Sequence, residues 1–99
     1  MEYDITKMIT LSTAHISEET ARKLERDIKH GTNYVPLPVF NKAEYGWFIC
    51  ISSYLEMLNE IELSEDLKAC CLLATENDCE WLCLDCDGII IPGLPTYDW

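Results

Sequence analysis

The chain predicts an α+β domain with a ferredoxin-like split βαβ order, strand–helix–strand–strand–helix–strand, both helices packed on one face of the sheet. Three observations carry that expectation. Short apolar runs of strand length recur at residues 8–16, 45–51 and 80–85, each bounded by polar or turn-forming residues. Two other stretches open on a serine followed by acids and then repeat apolar residues at helical spacing. A further apolar run, residues 35–40, is broken by Pro36 and Pro38. Proline has no amide to donate to a ladder, so that run can serve only as an edge strand.

Each element has its own warrant. In residues 8–16 the alternation sets Ile9 and Leu11 towards the core. Ser17 then reads as an N-cap, with Glu18 and Glu19 in the first helical turn, where carboxylates oppose the positive end of the helix dipole. Ala21, Leu24 and Ile28 fall on one face, Lys29 and His30 suit the C-terminal turn, and Gly31 can supply a left-handed cap. Residues 41–44 predict a turn. Residues 45–51 are apolar at both parities and therefore predict a central strand. Residues 52–63 fit a short amphipathic helix through Leu55, Leu58 and Ile61. Ser64 caps the second main helix, with Glu65 and Asp66 in its first turn and Leu67, Cys70, Cys71 and Ala74 as its apolar stripe. Residues 80–85 form another strand, Asp87-Gly88 a turn and residues 89–91 one more short strand; the tail from Pro92 is irregular.

The 99 residues suit one domain, and 48% hydrophobic content with 25% charge is the composition of a globular core rather than a disordered chain. No run approaches the length of a membrane span, and the acidic start is followed by no signal-peptide core, so a cytoplasmic protein is expected. In that compartment the six cysteines are expected as reduced, mostly buried hydrophobes. The formal net charge is −11. It is unevenly held: residues 1–50 carry seven acids and six bases, residues 51–99 eleven acids and the single base Lys68. Such a balance argues against free nucleic acid or an anionic membrane as partner, and for a basic protein surface.

Candidate chemistry is sparse. Asp85-Cys86-Asp87-Gly88 at a strand end resembles the first motif of haloacid-dehalogenase-type phosphatases, in which one Asp attacks phosphorus beside Mg²⁺. Ile89 stands where that motif has Thr or Val, and no lysine or acid pair follows Gly88 to complete a site. Cys83 and Cys86 have Cys-x-x-Cys spacing, but strand residues three apart face opposite ways, and neither a second such pair nor a nearby histidine completes a zinc site with Cys79. Ser12, Thr13 and His15 offer a nucleophile and a base but no third group to orient the imidazole, so His15 reads as a hydrogen-bonded strand-end residue. The four glycines are isolated and make no phosphate loop. Arg22, Lys23, Arg26 and Lys29 alternate with acids as on a solvated helix face. No cofactor, no metal and no catalytic role are expected.

Leu11-Ser12-Thr13-Ala14-His15-Ile16, Tyr45-Gly46-Trp47-Phe48, Trp81-Leu82-Cys83-Leu84-Asp85 and the terminal Leu94-Pro95-Thr96-Tyr97-Asp98-Trp99 together resemble a family of small, functionally unassigned proteins encoded by bacterial phages and mobile elements. The resemblance brings no catalytic residues. It implies a bacterial host and a counter-defence role of the anti-CRISPR kind, with an RNA-guided nuclease as a fitting target. The functional expectation is therefore an acidic inhibitor that imitates nucleic acid on a basic protein site. Glu76, Asp78, Glu80, Asp85, Asp87 and Asp98 are its charges and Tyr97 and Trp99 its aromatic anchors. The competing expectation is an antitoxin- or adaptor-like module that binds through apolar contacts.

Overall fold

A computed structural model describes residues 2–52 and 60–99. The elements follow the expected order: β1 (Met8–Ser12), α1 (Glu18–His30), β2 (Val39–Lys42), β3 (Gly46–Cys50), α2 (Glu65–Glu76) and β4 (Trp81–Asp85). They form an α+β fold of the split βαβ type. The four-stranded sheet is mixed, in the order β1-β4-β3-β2. β1 runs parallel to β4, while β4–β3 and β3–β2 are antiparallel. β1 and β2, joined through α1, thus lie at opposite edges with β4 and β3 between them.

Local chemistry explains the helices. Ser17 accepts a hydrogen bond from the Thr20 amide at 3.3 Å, and Gly31 ends α1 in the left-handed region at φ 65°. Ser64 occupies the N-cap position of α2 but makes no side-chain capping bond; its hydroxyl lies 3.1 Å from that of Thr20 instead. Asp66 accepts from the Ser17 amide at 2.7 Å, so the starts of the two helices are tied together. Both helices lie on one face. Leu24 of α1 and Leu67, Cys70, Cys71 and Ala74 of α2 share a buried core with Leu11, Ile49, Leu82 and Leu84 of the strands.

Several boundaries differ from the sequence expectation. The first strand stops at Ser12, because residues Thr13–His15 coil into a 3-10 turn whose Ala14 amide donates to the Ser12 hydroxyl at 3.0 Å. The proline-broken run becomes strand only after Pro38, as the edge strand β2; Asn41 and Lys42 belong to it and the turn is displaced to Ala43, at φ 48°. Upstream, Val35 and Leu37 are core residues, held where the Asp27 carboxylate accepts from the Tyr34 and Val35 amides at 2.8 Å each. Residues 89–91 form no strand: Ile89 makes a single parallel bridge to Leu11, and its carbonyl accepts from the Ser12 amide at 3.0 Å. Most of the helix expected over 52–63 lies outside the described residues.

Candidate functional site

The sheet face away from the helices is not used by the core. Strand alternation and register set Met8, Trp81 and Cys50 in one row across it, Thr10, Cys83, Phe48 and Phe40 in the next, and Ser12, Asp85, Gly46 and Lys42 in the third. Phe40 is 52% exposed and Met8 48%, with Phe48 and Trp81 half-buried. The Phe40 and Trp81 rings pack at 5.8 Å between centroids, tilted by 45°. Thr6, Met8, Phe40, Phe48 and Trp81 line a shallow hollow of about 420 Å³. Among the described residues no helix covers this face.

Lys42 and Asp85 close one end of the face as an ion pair. The Asp85 hydrogen bond holds the Lys42 ammonium above its ordinary value. Lys42 in turn, with the Asp87 amide, holds the Asp85 carboxyl below the usual carboxylate range. Lys42 also lies 5.6 Å from the centroid of the Phe48 ring. Asp85, Cys86 and Asp87 bring their ligand atoms within 4.8 Å of one another. Both Asp85 oxygens are already engaged, however: Oδ2 by Lys42 and Oδ1 by the Asp87 amide at 2.8 Å. The phosphatase-like tetrad is thus a turn fastened by its own first aspartate.

Five of the six acids of the expected charge site fall into two groups, and the sixth, Asp98, lies in the tail. Glu76, Asp78 and Glu80 gather where α2 passes into β4, beside Lys7, whose ammonium donates to the Asn77 carbonyl at 3.0 Å. Asp85 and Asp87 lie at the far end of the strand, about 16 Å from Glu80 by the rise of extended chain. The acids therefore flank the open face at both ends of β4 rather than forming one cluster.

Tyr97, Asp98 and Trp99 belong to a tail strapped across the 3-10 turn. His15 is buried, with Nε2 accepting from the Ile91 amide at 2.8 Å and Nδ1 2.9 Å from the Pro95 carbonyl. An amide can only donate and a carbonyl only accept, so these partners select the neutral tautomer protonated on Nδ1. The Tyr97 amide donates to the Ala14 carbonyl at 2.8 Å and the Trp99 indole to the Ile16 carbonyl at 2.7 Å. Trp99 is thereby carried to a cavity of about 240 Å³ that Tyr45, Trp47, Glu25 and Glu44 also line.

Of the cysteines, Cys70, Cys71, Cys79 and Cys83 are buried, Cys50 is half-buried and Cys86 exposed. Burial pushes the Cys70 and Cys71 thiols up to about 12, so they are inert apolar fillers of the core.

Sequence reading missed the open face and the Trp99 cavity. The signal for the face was present in residues 45–51, where Trp47 and Phe48 stand at opposite parities: one ring faces the helices and the other must face away. No curated protein and no solved structure matches the chain. The family match begins at the first residue of β1: residues 8–99 fit the C-terminal domain of a family of unknown function, DUF5983, and the chain belongs to that family.

Proposed function

We propose that the chain is a small acidic inhibitor, not an enzyme, which docks on a protein presenting basic charge of the kind a nucleic-acid-binding site carries. One observation carries this reading: an apolar sheet face that no helix covers among the described residues, with carboxylates beyond both of its ends. An apolar centre with a charged rim is the usual anatomy of a protein interface. A net charge of −11 opposes nucleic acid and attracts a surface lined by lysine and arginine. The positively charged channel of an RNA-guided nuclease has that chemistry. In the cytoplasm of a bacterial host such an inhibitor would serve a phage or mobile element as an anti-CRISPR or related counter-defence protein. Asp85 in this reading braces a turn and attacks nothing.

A second reading, an antitoxin- or adaptor-like module that binds by apolar contact alone, is favoured by the exposure of Phe40 and Met8. Calorimetric titration of a purified RNA-guided nuclease at low and high salt separates the two. The inhibitor reading expects binding that weakens steeply with salt and is lost when Asp78, Glu80 and Asp87 are together changed to lysine. Salt-insensitive binding that survives this reversal but is lost in Phe40→Ser would replace it with the apolar module. No binding at either salt would remove the nuclease as target.

A further inference from the structure

We infer that the cavity beside the end of β4 is a cation pocket that takes the side chain of one lysine or arginine. The inference rests on the basic-partner reading and names the place where such a partner makes its most specific contact.

The walls come from four parts of the chain. Tyr45 and Glu44 stand on the β2–β3 turn, Trp47 on β3, Glu25 on α1, and Trp99 at the end of the tail, around about 240 Å³. That volume lies below the ~300–1,000 Å³ typical of sites for whole cofactors or drug-sized ligands, and it suits a single side chain. Tyr45, Trp47 and Trp99 line it together with Glu25 and Glu44, and among the described residues no lysine, arginine or histidine does. Ring faces carry negative potential and draw cations, above all where carboxylates add their field. The depression on α1 lined by Arg22, Glu25, Arg26, Lys29 and His30 is dominated by cations instead.

The walls are held in place before any guest arrives. Trp47 is 7% exposed, its ring part of the core. The Trp99 indole is tied to the Ile16 carbonyl. The turn carrying Tyr45 is fastened from both sides, with the Tyr45 amide donating to the Lys42 carbonyl at 3.0 Å and the Tyr45 carbonyl accepting from the Cys86 amide at 2.8 Å. Such preorganisation lowers the ordering cost of binding. Neither Glu25 nor Glu44 forms an ion pair among the described residues. Glu25 shares its helix face with Arg22, Arg26 and Lys29, which offset its charge, so Glu44 is the stronger attractor.

Nuclear magnetic resonance titration of the full chain with three small probes tests the pocket: N-acetylarginine methylamide, N-acetyllysine methylamide and the neutral N-acetylcitrulline methylamide. The indole signals of Trp47 and Trp99 should shift saturably with the arginine or lysine probe and not with citrulline. The tighter of the two cations identifies guanidinium or ammonium as the guest. Changing the exposed Glu25 and Glu44 together to glutamine should weaken binding about fivefold to tenfold without disturbing the fold. Equal response to citrulline, indole signals that do not move, or unchanged affinity in the double variant would overturn the pocket. Saturable arginine binding alongside a failed nuclease titration leaves the pocket and removes the inhibitor reading; the reverse pattern removes the pocket alone.

Discussion

His15 joins the tail to the body through both ring nitrogens, and its replacement shows what such a residue does. In His15→Ala the Ile91 amide and the Pro95 carbonyl lose their partners. A loss of ~1–3 kcal/mol is expected for unpaired polar groups of this kind, measured by urea unfolding. Faster amide hydrogen exchange at Tyr97 should accompany it if the strap loosens. Asp66 is the second informative residue. Burial by itself pushes its carboxyl up, yet the Ser17 amide, which donates to it at 2.7 Å, and the polar groups of Ser64, Thr20 and Leu67 around it together hold it below the ordinary value of 3.8. A group whose folded value is depressed stabilises the native state above its unfolded value and loses that contribution as pH falls through the folded one. Urea unfolding followed from neutral pH to below 3.8 should therefore show an acid loss of stability that Asp66→Asn lacks in part. Identical acid slopes in the two proteins would show that Asp66 contributes nothing.

At the scale of elements, the contact between β3 and β4 depends on a missing side chain. A Cβ built on Gly46 would stand 1.7 Å from the Leu84 carbonyl oxygen, which is backbone and cannot swing aside. Gly46→Ala must therefore push the two central strands apart, at a cost of at least about 2 kcal/mol; thermal unfolding measures it, and a melting temperature unchanged from the parent would contradict this packing. The helices illustrate how far local chemistry reaches. Ser17 and Ser64 have the same sequence signature, a serine ahead of two acids, and both stand at N-caps. Only Ser17 caps through its side chain, because the Ser64 hydroxyl is drawn to Thr20 across the helix junction. Strand ends were harder to read for a similar reason. Residues 13–16 continue the apolar pattern of β1, but Ser12 and the tail bend them away from the sheet.

For the molecule as a whole, the acids beyond the ends of β4 and the apolar face between them can be varied separately. Reversing Asp78, Glu80 and Asp87 together touches exposed or half-buried groups outside the core, with backbone strain only at Asp78, whose φ of 58° suits Asp better than Lys. Such surface changes are expected to alter stability by within about 1 kcal/mol, while lowering association with a basic partner. Circular dichroism melting and binding titration on the same variant check both halves of that expectation. A large fall in melting temperature would instead give these acids a structural role.

The features that were legible in the chain itself are those governed by neighbours in sequence. The span and caps of α1, the apolar stripe of α2 and the concentration of acids after residue 50 follow from backbone dihedrals, hydrogen bonds within a few residues and simple composition. Strand order is different. Placing β4 between β1 and β3 joins residues far apart in the chain, and that choice depends on which apolar faces pack best together once the helices are present. The same long-range packing sets Phe40, Phe48 and Trp81 on the sheet face away from the helices, parts Glu76, Asp78 and Glu80 from Asp85 and Asp87 at the two ends of one strand, and carries Trp99 to Trp47, Tyr45 and two glutamates. Local patterns specify elements; a surface or a cavity exists only where distant elements meet.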